Sequence, residues 1–222
     1  MNRGRISQKG AVTIEFCIPE VTIRRLPAYL RLLSELEKEH AEIVSSRDMS
    51  IRTGYSSEQI RKDLAYFGAF GTRGVGYRVD LLKTRLRTIL GLDEEVSVVL
   101  VGAGRLGQAL ARHVEVQHHN IRITRIFDVD EEIVGEIVAG VRVEHASQMG
   151  TSLKDQEIRL AVVAVPGGVA QEVVDSLASA GVRAILNFAP EFIESPEGVA
   201  ITSVDLSSEM RSLAYFARKS LE

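Results

Sequence analysis

A glycine-rich turn directly after an apolar run is the feature that most constrains how this 222-residue chain can fold. Residues 96–101 (VSVVLV) have the length and composition of a buried β-strand. The turn Gly102–Gly107 follows at once with the spacing G-x-G-x-x-G, and residues 105–114 carry a helical pattern. Asp128 comes directly after the next predicted strand, 121–127. A strand, a glycine turn, a helix and an acid in this order predict a dinucleotide-binding βαβ unit.

Each residue type in this motif has a physical reason. Gly102 allows a tight turn, Gly104 lets the backbone approach a pyrophosphate, and Gly107 lets the helix pack closely on the strand. The helix N-terminus offers unpaired N–H groups to phosphates. Asp128 can accept hydrogen bonds from both ribose hydroxyls, and its charge would repel a 2′-phosphate, so NAD(H) is favoured over NADP(H). A glycine turn that binds nothing is the alternative.

The rest of this half alternates between strands and helices. Further apolar strands are predicted at 160–165, 184–188 and 199–204, and helices at 169–180 and 206–221. Buried strands that alternate with helices predict an α/β fold with a parallel sheet covered on both faces. One helix follows the last strand, so we expect no substrate domain and no enzyme.

The first 90 residues predict three helices, a glycine-rich ribbon over 68–79 and a fourth helix over 81–90. The first helix has an apolar stripe at helical spacing. This stripe consists of Ile23, Leu26, Leu30 and Leu33, widened by Tyr29, Leu32 and Leu36. Pro27 is compatible with this helix if it lies in the first turn.

Two short helices follow, with recognisable start signals. Ser45 and Asp48 have the spacing of a capping box, and Gly54 is expected to end that helix. In the next helix Ser56 can cap while Gln59 reaches back. Two short helices joined by a tight turn predict a helix-turn-helix.

The second of these helices has two chemically different faces. Ile60 and Leu64 point towards a core, whereas Arg61 and Lys62 point outwards. Arginine and lysine in a major groove can bond guanine edges. The glycine-rich ribbon that follows resembles a wing placed against DNA. A charge pair on a solvated helix face is the alternative.

Charge is divided unevenly between the two halves. Residues 1–90 hold 16 Lys and Arg against 10 Asp and Glu, a net charge of +6, whereas residues 91–222 hold 11 against 20, a net charge of −9. Such asymmetry suggests that the first half meets a polyanion. The single cysteine, Cys17, excludes an internal disulfide framework and favours a reducing, cytoplasmic setting. No apolar run is long enough to span a membrane, and no signal peptide is expected.

Several sequence runs taken together resemble the bacterial redox-sensing transcriptional repressor Rex. The resemblance covers roughly Ile18 to the C-terminus. It is carried by Ile18-Pro19-Glu20, Ile60–Leu64, Tyr66-Phe67-Gly68, Gly71–Tyr77, Gly102–Gly107, Phe127-Asp128, Val165-Pro166, Ile185–Pro190 and Val204-Asp205-Leu206.

The resemblance implies a homodimer that binds a palindromic operator in double-stranded DNA. NADH binding would release the DNA, while NAD⁺ competes without driving release. The implied organisation is a flexible arm (1–17), a winged helix-turn-helix domain (18–90), a Rossmann-like NAD(H)-binding domain (91–205) and a C-terminal helix (206–222). That helix, near Tyr215 and Phe216, would be exchanged between subunits.

The resemblance also implies three groups of site residues. The dinucleotide site comprises Gly102, Ala103, Gly104, Arg105, Leu106, Gly107, Asp128, Val165, Pro166, Asn187, Phe188, Ala189 and Pro190. The DNA-binding group comprises Ser57, Gln59, Arg61, Lys62, Tyr66, Thr72, Arg73 and Tyr77. A redox-dependent polar contact would join Arg31 and Asp205 of opposite subunits to a tyrosine whose position is held here by His113. Histidine titrates near neutrality, so this contact is expected to be altered or pH-dependent.

Two other functions remain open at this stage. One is a small NAD-dependent oxidoreductase with a helical dimerisation arm, which requires turnover of a substrate. The other is a regulatory subunit in which the glycine turn holds coenzyme A or another nucleotide. No metal site is expected, because the adjacent pair His118-His119 cannot share a helix face.

Overall fold

The computed structural model describes residues 18–68, 71–72, 74–117, 120–154 and 156–219. The predicted arm (1–17) with Cys17, the DNA-binding candidate Arg73 and the pair His118-His119 lie outside these ranges. The chain divides into two compact units between Gly91 and Leu92. None of the helices within the described ranges has the length and hydropathy needed to cross a membrane.

The first unit is a winged helix. Its elements are α1 (Glu20–Lys38), β1 (Ile43–Val44), α2 (Ser46–Thr53), α3 (Ser57–Ala65), β2 (Gly71–Thr72), β3 (Gly76–Arg78) and α4 (Val79–Ile89). The three short strands pair antiparallel in the order β1-β3-β2. The helices and strands of this unit enclose one apolar core. Helices α2 and α3 form a helix-turn-helix, and the β2–β3 ribbon that follows them forms the wing.

Helix α1 differs from its prediction in two respects. It begins at Glu20, so Pro27 lies inside the helix and not in its first turn. The buried stripe centres on Leu26, Tyr29 and Leu33, while Ile23 is 36% exposed. The helix therefore tolerates a proline in its interior, which removes one i→i−4 hydrogen bond.

The boundaries of α2 and α3 follow the predicted signals in part. Ser45 and Asp48 form the capping box, and Gly54 ends α2 with φ +77°, the left-handed conformation that glycine adopts most easily. The Ser56 hydroxyl accepts from the backbone N–H of Gln59 as expected. The Gln59 side chain does not reach back, however, because its amide donates to Asp63.

The wing is shorter than the predicted ribbon. Strand β3 ends at Arg78, and the N–H of Val79 donates to Glu42 O at 3.0 Å as α4 begins. Val79 is buried, whereas Leu81, with which the predicted helix begins, is 60% exposed. The buried side of α4 is therefore formed by Val79, Leu82 and Leu86.

The second unit is a doubly wound α/β sheet. Its elements are β4 (Val96–Val101), α5 (Arg105–Gln117), β5 (Ile121–Asp128), β6 (Ile137–Val138), β7 (Val141–His145), α6 (Met149–Leu153), β8 (Leu160–Val163), α7 (Gly167–Ser179), β9 (Ala184–Asn187), β10 (Ala200–Ser203) and α8 (Leu206–Lys219). The described strands run β10-β9-β8-β4-β5-β7-β6, and all neighbours are parallel except β6 and β7. This order confirms the predicted Rossmann-like fold.

Both faces of the sheet are covered, because alternate residues of β4 point to opposite sides. Val99 packs in a core with residues of α6 and α7, while Val98 and Leu100 pack in a second core that includes Ala111 of α5. The β6–β7 hairpin and α6 were not predicted. Strands β8 and β9 end at Val163 and Asn187, before the predicted ends, and the residues beyond them form the loops at the carboxyl edge.

Candidate dinucleotide and DNA-binding sites

The glycine turn between β4 and α5 has the close packing that its spacing predicts. Gly102 has φ +97°, and a Cβ there would lie 2.5 Å from the carbonyl oxygen of Ala164. A Cβ at Gly107 would overlap the carbonyl oxygen of Gly102. Both positions are therefore restricted to glycine by the protein itself.

Gly104 differs from these two glycines. A Cβ at Gly104 would meet no protein atom within 4 Å, so the turn is open on this side. Arg105 and Leu106 are exposed in the first turn of α5. The open face therefore lies beside a helix N-terminus, which is the environment that favours a phosphate group.

Asp128 and Ala103 are bonded to each other. The Asp128 carboxylate accepts from the N–H of Ala103 at 2.5 Å, and its other oxygen accepts from the N–H groups of Val129 and Asp130. The Ala103 side chain is fully buried, so this residue contributes to the shape of the turn. The oxygen that accepts from Ala103, Oδ2, keeps a second lone pair, so Asp128 can still accept from a ribose hydroxyl.

The remaining predicted residues follow β8 and β9 at the same carboxyl edge. Val165 is half-buried and Pro166 is exposed where the chain leads into α7, and Phe188 is half-buried after β9. Strands β4, β5 and β8 are neighbours, and their carboxyl ends mark the switch point where such sheets bind dinucleotides. The residues present thus fit a dinucleotide across Gly104.

Asn187 is held by hydrogen bonds within the protein. It is fully buried, and its carbonyl accepts from Ala189 N–H at 2.9 Å while its amide donates to Ser203 Oγ at 3.2 Å. Ala189 is also buried, whereas Pro190 is exposed. Asn187 therefore shapes the loop after β9, and its contact with a dinucleotide stays a prediction.

The outer face of α3 carries the predicted cations. Arg61 and Lys62 are exposed, and Arg61 Nη1 donates to Ser46 Oγ of α2 at 3.0 Å. Ser57 and Tyr66 are half-buried at the two ends of the helix, and Thr72 is exposed on β2.

Two of the predicted DNA-contacting residues make contacts within the winged helix. The ring of Tyr77 lies in the core of the winged helix, with 9% of the residue exposed, and burial raises the pKa of its hydroxyl. It packs against the β2 strand at Gly71. The Gln59 amide donates to Asp63 and is thereby turned from the outer face of α3. The DNA contacts of Tyr77 and Gln59 stay predictions.

Sequence reasoning missed Asp63, a fully buried acid on α3. Its carboxylate accepts from Arg25 Nε and Nη2 at 2.6 and 2.7 Å, Tyr29 Oη at 2.7 Å, Gln59 Nε2 at 2.8 Å and Thr22 Oγ1 at 3.2 Å. Burial alone would raise the pKa of Asp63, but the hydrogen bonds from Arg25, Tyr29 and Gln59 hold it below its ordinary value. The only sequence signal was an acid directly after two outward cations.

The three residues of the predicted redox contact lie on different elements. Arg31 is exposed on α1 and His113 is exposed on α5. Asp205 caps α8, because its carboxylate accepts from the N–H groups of Ser207 and Ser208 at 2.9 and 3.1 Å and from the Ser208 hydroxyl. The hydrogen bond from the Ser208 hydroxyl, followed by those from the backbone, lowers the pKa of Asp205. Asp205 therefore has a local structural role, and the contact itself stays a prediction.

Comparison with known proteins identifies the family. Residues 17–65 match a family model described as "Putative DNA-binding protein N-terminus", and residues 93–191 match the "CoA binding domain" model. The redox-sensing transcriptional repressor Rex of Natranaerobius thermophilus is 46% identical over 203 residues, which cover 91% of this chain and 93% of that protein. The chain belongs to the Rex family. Rex of Streptomyces coelicolor is 41% identical over 91% of this chain and 78% of its own.

Solved structures agree with this assignment. RSP, a Rex-family repressor, in complex with β-NAD⁺ and operator DNA has a TM-score of 0.84 and 34% identity, covering 91% of this chain and 94% of its own. RSP in complex with β-NADH has a TM-score of 0.81 and 32% identity over 92% and 96%. The predicted resemblance to Rex and the predicted fold class are confirmed.

Proposed function

We propose that this chain is an NADH-responsive transcriptional repressor, which binds a palindromic operator as a homodimer and leaves it when NADH binds. The observation that carries this proposal is the presence, in one Rex-family chain, of an open glycine turn at Gly104 and a helix-turn-helix with Arg61 and Lys62 outward. The relative RSP was crystallised both with NAD⁺ and operator DNA and with NADH. A repressor works where the chromosome is, so we expect it in the bacterial cytoplasm.

The winged helix supplies the DNA-binding surface. Lys62 and Arg61 on α3 would contact base edges and phosphates in the major groove, with Thr72 on the wing close to the backbone. Arg73, which lies outside the described residues, would extend the wing contact. The positive charge of this half supports the association, because phosphate neutralisation supplies much of DNA-binding affinity.

The Rossmann-like unit supplies the sensor. The open turn at Gly104 and the first turn of α5 would hold a pyrophosphate, and Asp128 would hold a ribose and repel a 2′-phosphate. Val165, Pro166 and Phe188 provide a mainly apolar edge at the ends of β8 and β9. An apolar edge disfavours the cationic ring of NAD⁺, because charge is costly to desolvate. This difference favours NADH as the effector and NAD⁺ as a weaker competitor.

Release of DNA requires a difference in affinity between two states of the protein. A ligand shifts a conformational equilibrium only as far as it prefers one state. A change from 1:99 to 99:1 needs a preference of about 5.5 kcal/mol. NADH must therefore bind the released state of the protein more tightly than the DNA-bound state, and NAD⁺ must show a smaller preference. In this proposal the apolar edge beside Val165 supplies the difference, because it disfavours the charged ring of NAD⁺.

Helix α8 supports the homodimer. Leu206, Met210, Leu213 and Phe216 are each more than half exposed, and their spacing places them along one side of the helix. Such a stripe on a soluble chain is typical of a protein–protein contact. We infer that α8 packs on a second copy of this chain.

We expect Leu213→Glu to produce monomers, because it places a charge in the stripe of α8. Operator affinity should fall at the same time, since a palindrome needs two linked winged helices. Sedimentation and DNA titration measure both effects. Ser207→Glu is the matched control, because it adds the same charge about 100° around the helix from Leu206. A dimeric Leu213→Glu protein would exclude this surface.

A coenzyme A-binding regulator is the second candidate, because residues 93–191 match the "CoA binding domain" model. An oxidoreductase is not favoured, since the relatives that match most of this chain are named transcriptional repressors. We propose that the chain has no catalytic activity.

One titration tests these functions together. An operator is first selected by the full-length protein from a random duplex pool, and its binding is then followed by fluorescence anisotropy with NADH, NAD⁺, NADPH or coenzyme A. We expect release at NADH concentrations at which NAD⁺ and NADPH leave the complex intact. Equal release by NADH and NAD⁺, or release by coenzyme A alone, would contradict the sensor function.

A further inference from the structure

We propose that Asp63 is a positioning residue for operator recognition, which fixes the rotation of α3 by anchoring it to α1 and thereby sets the direction of Arg61 and Lys62. This inference rests on the proposed function, because it concerns the helix assigned to read DNA. Asp63 itself is fully buried, so it would act on DNA only through the position of α3.

A helix as short as α3 needs more than apolar contacts to hold its orientation. It has nine residues, and its buried apolar side chains are Ile60 and Leu64, which lie one turn apart on the same stripe. Apolar contacts are not directional, so they resist rotation about the helix axis weakly. A rotation of about 10° moves a side-chain atom about 6 Å from the axis by about 1 Å. A displacement of that size is enough to break a hydrogen bond to a base edge, whose range is about 2.7–3.2 Å.

The bonds to Asp63 supply the missing directional contact. Three of its partners, Thr22, Arg25 and Tyr29, lie on one side of α1 at spacings of three and four residues, and Arg25 binds the carboxylate with two parallel N–H groups. A two-point bond between a guanidinium and a carboxylate fixes relative orientation as well as distance. The site is buried, so water cannot replace a lost donor without a change in packing.

Aromatic contacts in turn hold Arg25 in place. Its guanidinium carbon lies 5.9 Å from the ring centroid of Tyr55, and the Tyr55 ring packs edge-on against Tyr29 at 5.8 Å. Tyr55 belongs to the turn between α2 and α3. The cluster formed by Arg25, Tyr29, Tyr55 and Asp63 therefore joins α1, the turn and α3 into one rigid arrangement.

The negative charge of Asp63 allows a positioning role to be distinguished from a purely electrostatic one. A carboxylate on the DNA-reading helix repels phosphates, so neutralising it should strengthen DNA binding if charge alone matters. If Asp63 positions α3, neutralising it should weaken operator binding although repulsion has been reduced. The two interpretations predict opposite changes for the same substitution.

The experiment compares Asp63→Asn with the wild-type full-length protein on two duplexes, the selected operator and a random-sequence duplex of equal length. We expect operator affinity to fall by about tenfold to hundredfold, the equivalent of one misaligned base contact. Affinity for the random duplex should equal or exceed that of the wild type, although affinity for the operator falls. Asp175→Asn is the matched control, because it neutralises an exposed acid on α7.

Folding is checked by thermal unfolding and by NADH binding. If Asp63→Asn does not fold, Tyr29→Phe is tested in its place, because it removes one donor to Asp63 and keeps the ring. Operator affinity of the folded Tyr29→Phe protein should fall by about threefold to tenfold. Unchanged or increased operator affinity in the folded variant would overturn the inference. A wild-type protein that selects no operator would instead contradict the proposed function.

Discussion

Replacement of Lys62 by alanine is expected to abolish selective binding to the operator while NADH affinity stays unchanged. Lys62 is exposed on the outer face of α3, where its ammonium can donate to guanine O6 and N7. One such contact contributes about 1–3 kcal/mol, and a dimer uses it in both half-sites, so affinity should fall about thirtyfold or more. The proposed NADH site lies in the other compact unit, so the affinity for NADH should not change.

Lys38→Ala provides the comparison for Lys62→Ala. It removes the same charge from an exposed site in the winged-helix unit, at the end of α1. Anisotropy titrations on operator and random duplexes should show that Lys62→Ala affects mainly the operator, while Lys38→Ala has little effect on either. If the two variants lose the same affinity for the operator, the overall positive charge of the unit determines DNA binding, and α3 is not the helix that contacts the bases.

Local signals in the sequence predicted the elements whose form depends on local chemistry. The capping box of Ser45 and Asp48, the stop at Gly54 and the glycine turn after β4 are specified by residues within a few positions of each other. The parallel α/β sheet was predicted because apolar strands alternated with helical patterns. These features needed no knowledge of distant partners.

The features that could not be predicted depend on tertiary contacts. Asp63 meets Thr22, Arg25 and Tyr29, which lie 34 to 41 positions away, and no local pattern connects them. Tyr77 was assigned to DNA from the resemblance to Rex, and its ring lies in the core of the winged helix. Tertiary packing decides which polar or aromatic residues support a surface and which form it.

The dinucleotide residues show the same division. Gly104 and Asp128 lie where the motif places them, because the βαβ turn is a local structure. Asn187 and Asp205 were taken for ligand or switch residues, yet each accepts hydrogen bonds from backbone N–H groups two or three residues ahead. Short polar side chains at loop starts and helix ends often cap the backbone.

Gly104→Ala is expected to give a repressor that binds operator DNA but no longer responds to NADH. A Cβ at this position meets no protein atom within 4 Å, so the variant should fold normally. The added methyl group would occupy the space through which the backbone approaches a pyrophosphate. Gly107→Ala would be uninformative, because its Cβ overlaps Gly102 and disturbs the turn itself.

The expected loss of NADH affinity is about tenfold to hundredfold, the range for inserting a methyl group into a close contact of about 1–3 kcal/mol. The concentration of NADH needed to release half of the operator should rise by the same factor, while affinity for the operator without nucleotide stays at the wild-type value. Gly150→Ala in α6 is the matched control, because its Cβ also meets nothing within 4 Å. If Gly104→Ala responds to NADH as the wild type does, the pyrophosphate does not cross this turn, and the sensor site must lie elsewhere in the second unit.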